Sequence, residues 1–168
     1  MIHVCSLQAV PWEVERLGPT HLISIVDPEQ YVETPRGVDP ACHWLFRFHD
    51  INDPLPGHVA PEEEDIERLL RFGDEWDGAA ATLIHCHAGI SRSTAAALIL
   101  ICQRNAGRER EAAVRLRRAG RHAWPNRRMI ELADRLLGRE GRMVDGLRAM
   151  SLPLSLAAVE TISLPVAL

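Results

Sequence analysis

Ile84-His85-Cys86-His87-Ala88-Gly89-Ile90-Ser91-Arg92-Ser93 is the stretch on which the reading of this chain turns. An apolar run from Ala79 leads into it, and an Ala/Leu/Ile-rich run, Thr94 to Ile101, leads out. That predicts strand, tight loop and helix, with a cysteine where the strand ends and an arginine where the helix begins. A loop of this kind aims backbone N–H groups inward, and the helix adds its unpaired N-terminal donors and the positive end of its dipole. The concavity suits a tetrahedral oxyanion such as phosphate, sulfate or vanadate. The same field holds Cys86 as a thiolate nucleophile.

Cysteine followed six positions later by arginine is a cheap pattern, and Cys102 with Arg108 repeats it. That copy lacks a glycine three residues after the cysteine and falls inside an apparent helix. The Cys86 copy has His85 before it, Gly89 at the third position and Ser93 after the arginine, a coincidence on the order of 10⁻⁴ from composition alone. Gly89 supplies positive φ or a close backbone approach to the anion. An arginine at a helix start opposes the dipole, so Arg92 reads better as a planar fork for two phosphoryl oxygens than as a surface residue.

Working outward, 168 residues fit one domain with a single core, and 46% hydrophobic with 25% charged residues is ordinary globular composition. A formal net charge of −4 argues against nucleic acid as a partner. No apolar run approaches the roughly 20 residues of a membrane span, and the start lacks the basic and apolar blocks of a secretory signal. Cys5, Cys42, Cys86 and Cys102 are scattered without staple-like spacing, which fits a reducing, cytoplasmic home. All 19 basic residues are arginine, which excludes a Walker-A lysine and Schiff-base chemistry.

Strands are expected over residues 2–6, 21–26, 43–48 and 79–85, and helices over 11–17, from Pro61, over 94–104, over 108–118, from Pro125-Asn126, and up to about Met150. The Pro61-Glu-Glu-Glu-Asp65 cluster reads as a capped helix start rather than a metal or partner site. Alternation of this kind implies an α/β fold: a three-layer α/β/α arrangement with a mostly parallel central sheet. Ligands in such sheets sit beyond the carboxyl ends of the strands, the edge reached by both Cys86 and Asp50. Residues 1–150 make the catalytic domain. Residues 151–168, apolar and nearly chargeless, read as a tail packed on the domain or on a partner subunit, which would make a homo-oligomer.

On the Ala88-Gly89-Ile90-Ser91-Arg92-Ser93 wording, and on Pro125-Asn126 before a late helix, the chain resembles the cysteine-dependent protein tyrosine phosphatases, in particular the dual-specificity branch. The resemblance covers roughly residues 40–137. It implies a fold of the phosphotyrosine protein phosphatase II type, no cofactor and no metal. It implies that Cys86 attacks phosphorus, Arg92 clamps the equatorial oxygens and Ser93 steadies the thiolate as leaving group. The substrate-binding loop is then His87, Ala88, Gly89, Ile90, Ser91 and Arg92, and His85 buttresses it by hydrogen bonds. An aspartic acid from another loop handles the leaving oxygen's proton. Asp50, at the end of a strand, is preferred for that role, with Asp53 as the alternative.

Other residues carry weaker signals. His85 and Cys86 are neighbours on a strand and point to opposite faces, which disfavours zinc. Cys5 ends a strand on the same sheet edge as Cys86, and its ordinary role is core packing, with a reversible disulfide as the sharper alternative. Arg115, Arg117, Arg118, Arg121, Arg127 and Arg128 form the densest positive run, read as a solvated helix face. The expected activity is hydrolysis of a phosphomonoester through a phosphocysteine, on a phosphorylated protein or a small phosphomonoester. The alternatives are a non-protein substrate (inositol phosphate, phosphoinositide or nucleotide) and a phosphate-binding module without turnover.

Overall fold

The computed structural model describes residues 1–150, 152–153 and 159–168. Its sheet contains β1 (Ile2–Ser6), β2 (His21–Val26), β3 (His43–Arg47), β4 (Thr82–Cys86) and β5 (Ile162–Leu164), in the order β3-β2-β4-β1-β5. The first four strands are parallel, and β5 runs antiparallel along the outer edge of β1. The helices are α1 (Val10–Leu17), α2 (Glu63–Glu75), α3 (Arg92–Arg104), α4 (Glu109–Ala119), α5 (Arg127–Leu136) and α6 (Arg142–Arg148).

The strand order explains the layers. The chain leaves β1 through α1, passes the place that β4 will fill, and enters β2. It then returns from β3 through α2 to β4 between them. Right-handed crossovers running in opposite directions put their helices on opposite faces. Accordingly Val10 and Val14 of α1 pack with Cys5, Leu22 and Leu83 on one face. Ile66, Leu69 and Phe72 of α2, with most of α3, pack on Ile23, Ile25 and Ile84 on the other. The three layers are therefore unequal, one of them a single short helix. Every residue of β4 is buried, as its continuous apolar sequence requires of a central parallel strand.

Several boundaries differ from the sequence reading for local reasons. The Asp77 carboxylate accepts the N–H groups of Ala79 and Ala80 at 2.8 and 3.1 Å, and Gly78 has φ +79°, so a turn holds these alanines out of the strand until Thr82. Helix α2 begins one residue after Glu62, which forms a capping box with Asp65, so the acidic cluster serves as a cap. Within the C-terminal stretch, Ile162 and Leu164 are buried in the sheet and Ser163 Oγ pairs with His3 Nδ1 at 2.8 Å. Part of what read as a tail is thus an edge strand. Residues 151 and 154–158, on which the expectation of an intersubunit arm partly fell, lie outside the described residues.

Candidate active site

Cys86 closes β4 at the centre of the sheet, and the next five residues curl back over its thiol before α3 begins. Two constraints make that curl. Gly89 has φ +75°, and a Cβ there would lie 2.8 Å from the Cys5 carbonyl carbon and 2.8 Å from the Ser6 nitrogen. The loop therefore packs directly on the β1 backbone, and only glycine fits. Second, the loop carbonyls are held outward. His87 O accepts Leu7 N–H, Ile90 O accepts Trp124 N–H, and Ser91 O accepts Asn126 N–H, at 3.1, 2.8 and 3.3 Å. Thr94 Oγ1 donates to Ile90 O and Ser91 O as well. With these carbonyls turned away, the amides face the concavity.

The Cys86 Sγ is 2% exposed, accepts Gly89 N–H at 3.2 Å and lies 3.1 Å from Ser93 Oγ. The sulfur thus meets one backbone N–H and one hydroxyl. Arg92, 3% exposed, donates through Nη1 to Asp27 Oδ1 at 2.7 Å and to Phe48 O at 2.6 Å. Its buried Nε has no protein partner. A buried guanidinium N–H left unpaired is costly, so its edge is poised for an anion. Cys86, Arg92 and Asp27 line one cavity of about 460 Å³, together with Asp50, His49, His58, His87, Ala88, Ile90 and Ser91.

Asp50 reaches the cavity from the loop after β3. Its Oδ1 accepts Ser91 Oγ–H at 2.7 Å and Asn126 Nδ2–H at 2.8 Å. Both donors are neutral. Asn126 is buried, caps α5 through Oδ1 to Met129 N–H, and so fixes the amide that holds Asp50. The same loop is docked on the start of α5 by Asn52 Oδ1, which accepts the N–H groups of Arg127 and Arg128. Asp53 is 82% exposed, lies 3.7 Å from Arg127 and does not line the cavity. Ser91, expected in the substrate-binding loop, makes no side-chain cap on α3; its hydroxyl is spent on Asp50.

His85 supports the loop from behind, at the end of a buried row of polar groups that the sequence did not announce. Its Nδ1 lies 3.4 Å from Cys86 O, its Nε2 2.6 Å from Ser24 Oγ, and Ser24 Oγ lies 2.7 Å from His43 Nε2. His43 Nδ1 in turn lies 2.8 Å from Thr34 Oγ1. A carbonyl only accepts, so His85 carries its proton on Nδ1 and its Nε2 must accept from Ser24. Ser24 then accepts from His43 Nε2–H, and His43 Nδ1 accepts from Thr34. One carbonyl thus orders four side chains. Burial drives the His85 pKa from 6.5 down to about 4, keeping it neutral, and burial also lowers that of His43.

The remaining candidates sort by the same geometry. His85 faces the α1 side with Cys5 and Leu83, whereas Cys86 faces the opposite cluster with Ile84. Cys5 is opposite His85 in register, not Cys86, and burial pushes its thiol up to about 12. A Cys5–Cys86 disulfide is therefore excluded by the side of the sheet each occupies, and all four cysteines are free. Cys102 is buried inside α3 with its thiol likewise pushed up to about 12, so the second Cys/Arg pair is inert. The arginine run is not one solvated face. Arg117 is buried and braces the Gly120 and Arg121 carbonyls, and Arg128 pairs with Glu62. Asp27, beside Arg92, and Ser24, His43 and Thr34, in line behind His85, are neighbours that the sequence alone does not single out. A serine inside the apolar strand His21–Val26 was the one available signal.

No protein-family model matches the chain, and no curated protein matches its sequence. Solved structures do. The chain is similar to the PTP-2 phosphatase of Cydia pomonella, at 20% identity over 79% of this chain and 83% of that one, with a TM-score of 0.62. DUSP15 matches at 15% identity over 89% and 92%, with a TM-score of 0.65. PTPMT1 in complex with PI(5)P matches at 14% over 83% and 91%, with a TM-score of 0.56. At these identities what is shared is the fold. The chain has the fold of the dual-specificity and protein tyrosine phosphatases.

Proposed function

We propose that this protein is a phosphomonoester hydrolase of the dual-specificity phosphatase type, working through a phosphocysteine and acting on phosphorylated protein. The observation that carries the reading is the company of Cys86: its Sγ meets a loop N–H and a hydroxyl, and Cys86 shares one cavity with the buried Arg92 and the carboxyl group of Asp50. Cys86 thiolate attacks phosphorus while the phosphorus–oxygen bond to the leaving group breaks. Asp50, protonated, gives its proton to the departing oxygen. Arg92 and the loop amides hold the charge on the equatorial oxygens, so the step needs no metal. Asp50, now a carboxylate, takes a proton from water as that water attacks phosphorus. The sulfur–phosphorus bond breaks, and the Ser93 hydroxyl, 3.1 Å from the sulfur, steadies the returning thiolate.

Asp50 suits the acid role better than Asp27. Asp27 is taken up by an ion pair with the Arg92 guanidinium at 2.7 Å, whereas Asp50 is held by a hydroxyl and an amide at the cavity wall. A phosphoinositide, as in the PTPMT1 complex, is the second reading. It is less favoured because Asp27 and Asp50 line the cavity and would oppose additional phosphates.

The test is turnover of p-nitrophenyl phosphate with a pre-steady-state burst, repeated with chelator and with vanadate. The expected result is a burst of one equivalent, insensitivity to chelator and inhibition by vanadate. Cys86→Ser should abolish turnover while still binding oxyanions. Activity that survives this substitution would overturn the proposal.

A further inference from the structure

Beside the phosphate cavity lies a second cavity of about 500 Å³, and the two share Ser91 as a common wall. Trp124, Pro125 and Leu147 line it together with Arg127 and Arg148. Trp124 is 46% exposed, one of the few large apolar side chains left open to water. The indole is nonetheless not on a loose loop. Trp124 N–H is bonded to Ile90 O of the catalytic loop, and Asn126, two residues on, holds Asp50. A group resting on Trp124 would therefore sit at fixed distance from both the nucleophile's loop and the acid.

Charge selects the occupant. Arg127 lies 3.7 Å from Asp53 and 3.5 Å from Glu131, and Arg148 lies 3.2 Å from Asp145, all in exposed pairs that hold little energy. They remain available to an anion. Across the phosphate cavity the charges reverse, with Asp27 and Asp50 at the wall and Glu29 3.5 Å from His49. A substrate with several phosphates would set them against these carboxylates. A polypeptide carries one phosphate, an apolar neighbour and an isolated acid, which is the sequence of charges the surface presents.

Resting on the assignment of phosphomonoester hydrolysis to the Cys86 cavity, the geometry points to a phosphoprotein substrate whose residue flanking the phosphorylated one is apolar and seats on Trp124, with an acidic residue beyond it meeting Arg127 and Arg148. Burial of that apolar side chain against indole and proline supplies the selectivity.

The experiment compares phosphotyrosine peptides carrying Leu or Gly at the flanking position, on each side in turn, with and without a Glu beyond it. The ratio of kcat/KM for peptide to that for p-nitrophenyl phosphate is measured for wild type, Trp124→Ala, Trp124→Phe and Arg148→Glu. Wild type should favour the Leu peptide over the Gly peptide by tenfold or more, about 1.4 kcal/mol. Trp124→Ala should erase that preference, Trp124→Phe should keep most of it, and Arg148→Glu should reverse the preference for Glu. Equal rates on all peptides, or a Leu preference that persists in Trp124→Ala, would overturn the inference. So would faster turnover of PI(5)P in phosphatidylcholine vesicles, with the Trp124 dependence moving to the vesicles. Absence of turnover on every substrate counts against the hydrolytic assignment alone. Equilibrium binding of the same peptides to the same proteins, read by tryptophan fluorescence and calorimetry, then decides the groove by the same comparisons.

Discussion

Ser24 Oγ lies 2.6 Å from His85 Nε2 inside the sheet, with no exposed surface on either residue. The serine is the donor that makes the neutral, Nδ1-protonated imidazole the stable form beside the Cys86 carbonyl. Ser24→Ala leaves that nitrogen buried without a donor and should cost about 1–3 kcal/mol, read as a lowered urea midpoint. Nitrogen-15 shifts of His85 at pH 7 should give the Nδ1–H tautomer in wild type. The Nε2–H tautomer there would contradict the ordering of the row.

Acid should destabilise the fold in a defined window. Above pH 6.5 His85 is neutral in folded and unfolded chains alike, and its burial is cost-free with respect to protons. Between 6.5 and about 4 the unfolded chain takes up a proton that the folded chain refuses, so stability falls as pH falls. That spread amounts to about 3 kcal/mol for this one residue. His3, His43 and His122, whose pKa values burial also lowers, act in the same direction. Unfolding free energies at pH 7 and pH 4.5 test this, and His85→Gln should flatten the dependence. A wild-type profile already flat across this range would contradict it.

Asp50→Asn should lower kcat by roughly 10²–10⁴ for alkyl phosphates, and less for p-nitrophenyl phosphate, whose leaving group departs without help. Asp53→Asn, altering an exposed carboxylate outside the cavity, should leave kcat near the wild-type value. The reverse pattern would transfer the acid role to Asp53.

Gly89→Ala combines a left-handed backbone position with a Cβ 2.8 Å from main-chain atoms of Cys5 and Ser6. Neither neighbour is the end of a flexible side chain, so loop or strand must move. A loss of at least about 2 kcal/mol is expected. Turnover should fall with it, because the Gly89 N–H that meets the sulfur moves too. A variant with wild-type melting and kinetics would show that the loop tolerates displacement.

Much of this architecture is legible along the chain where the physics is local. The Ile84–Ser93 segment declares itself because strand end, positive-φ glycine and helix start are consecutive. The parallel strands announce themselves as short, largely apolar runs. What escapes is set by partners far apart in sequence. Asp27 acquires meaning only from Arg92, 65 residues on, and it reads as the start of a loop until β2 and β4 are known to be neighbours. His43 looks like the first residue of an apolar strand until Ser24 is found beside it. The three-residue β5 has no periodicity to detect and is fixed by contacts with β1 instead. The position of Asp50 at a strand end is readable from the sequence, but its partner Asn126 shows there only as half of a Pro-Asn pair.

The row from Thr34 to Cys86 has a bearing on how such an enzyme could diversify. Thr34 belongs to a segment between β2 and β3 and touches none of the groups assigned to chemistry. Yet its hydroxyl meets His43, and the row runs on through Ser24 to His85 behind the Cys86 carbonyl, two strands away. Sequence drift in an outlying loop would therefore reach the support behind the Cys86 carbonyl, leaving every residue that lines the cavity untouched.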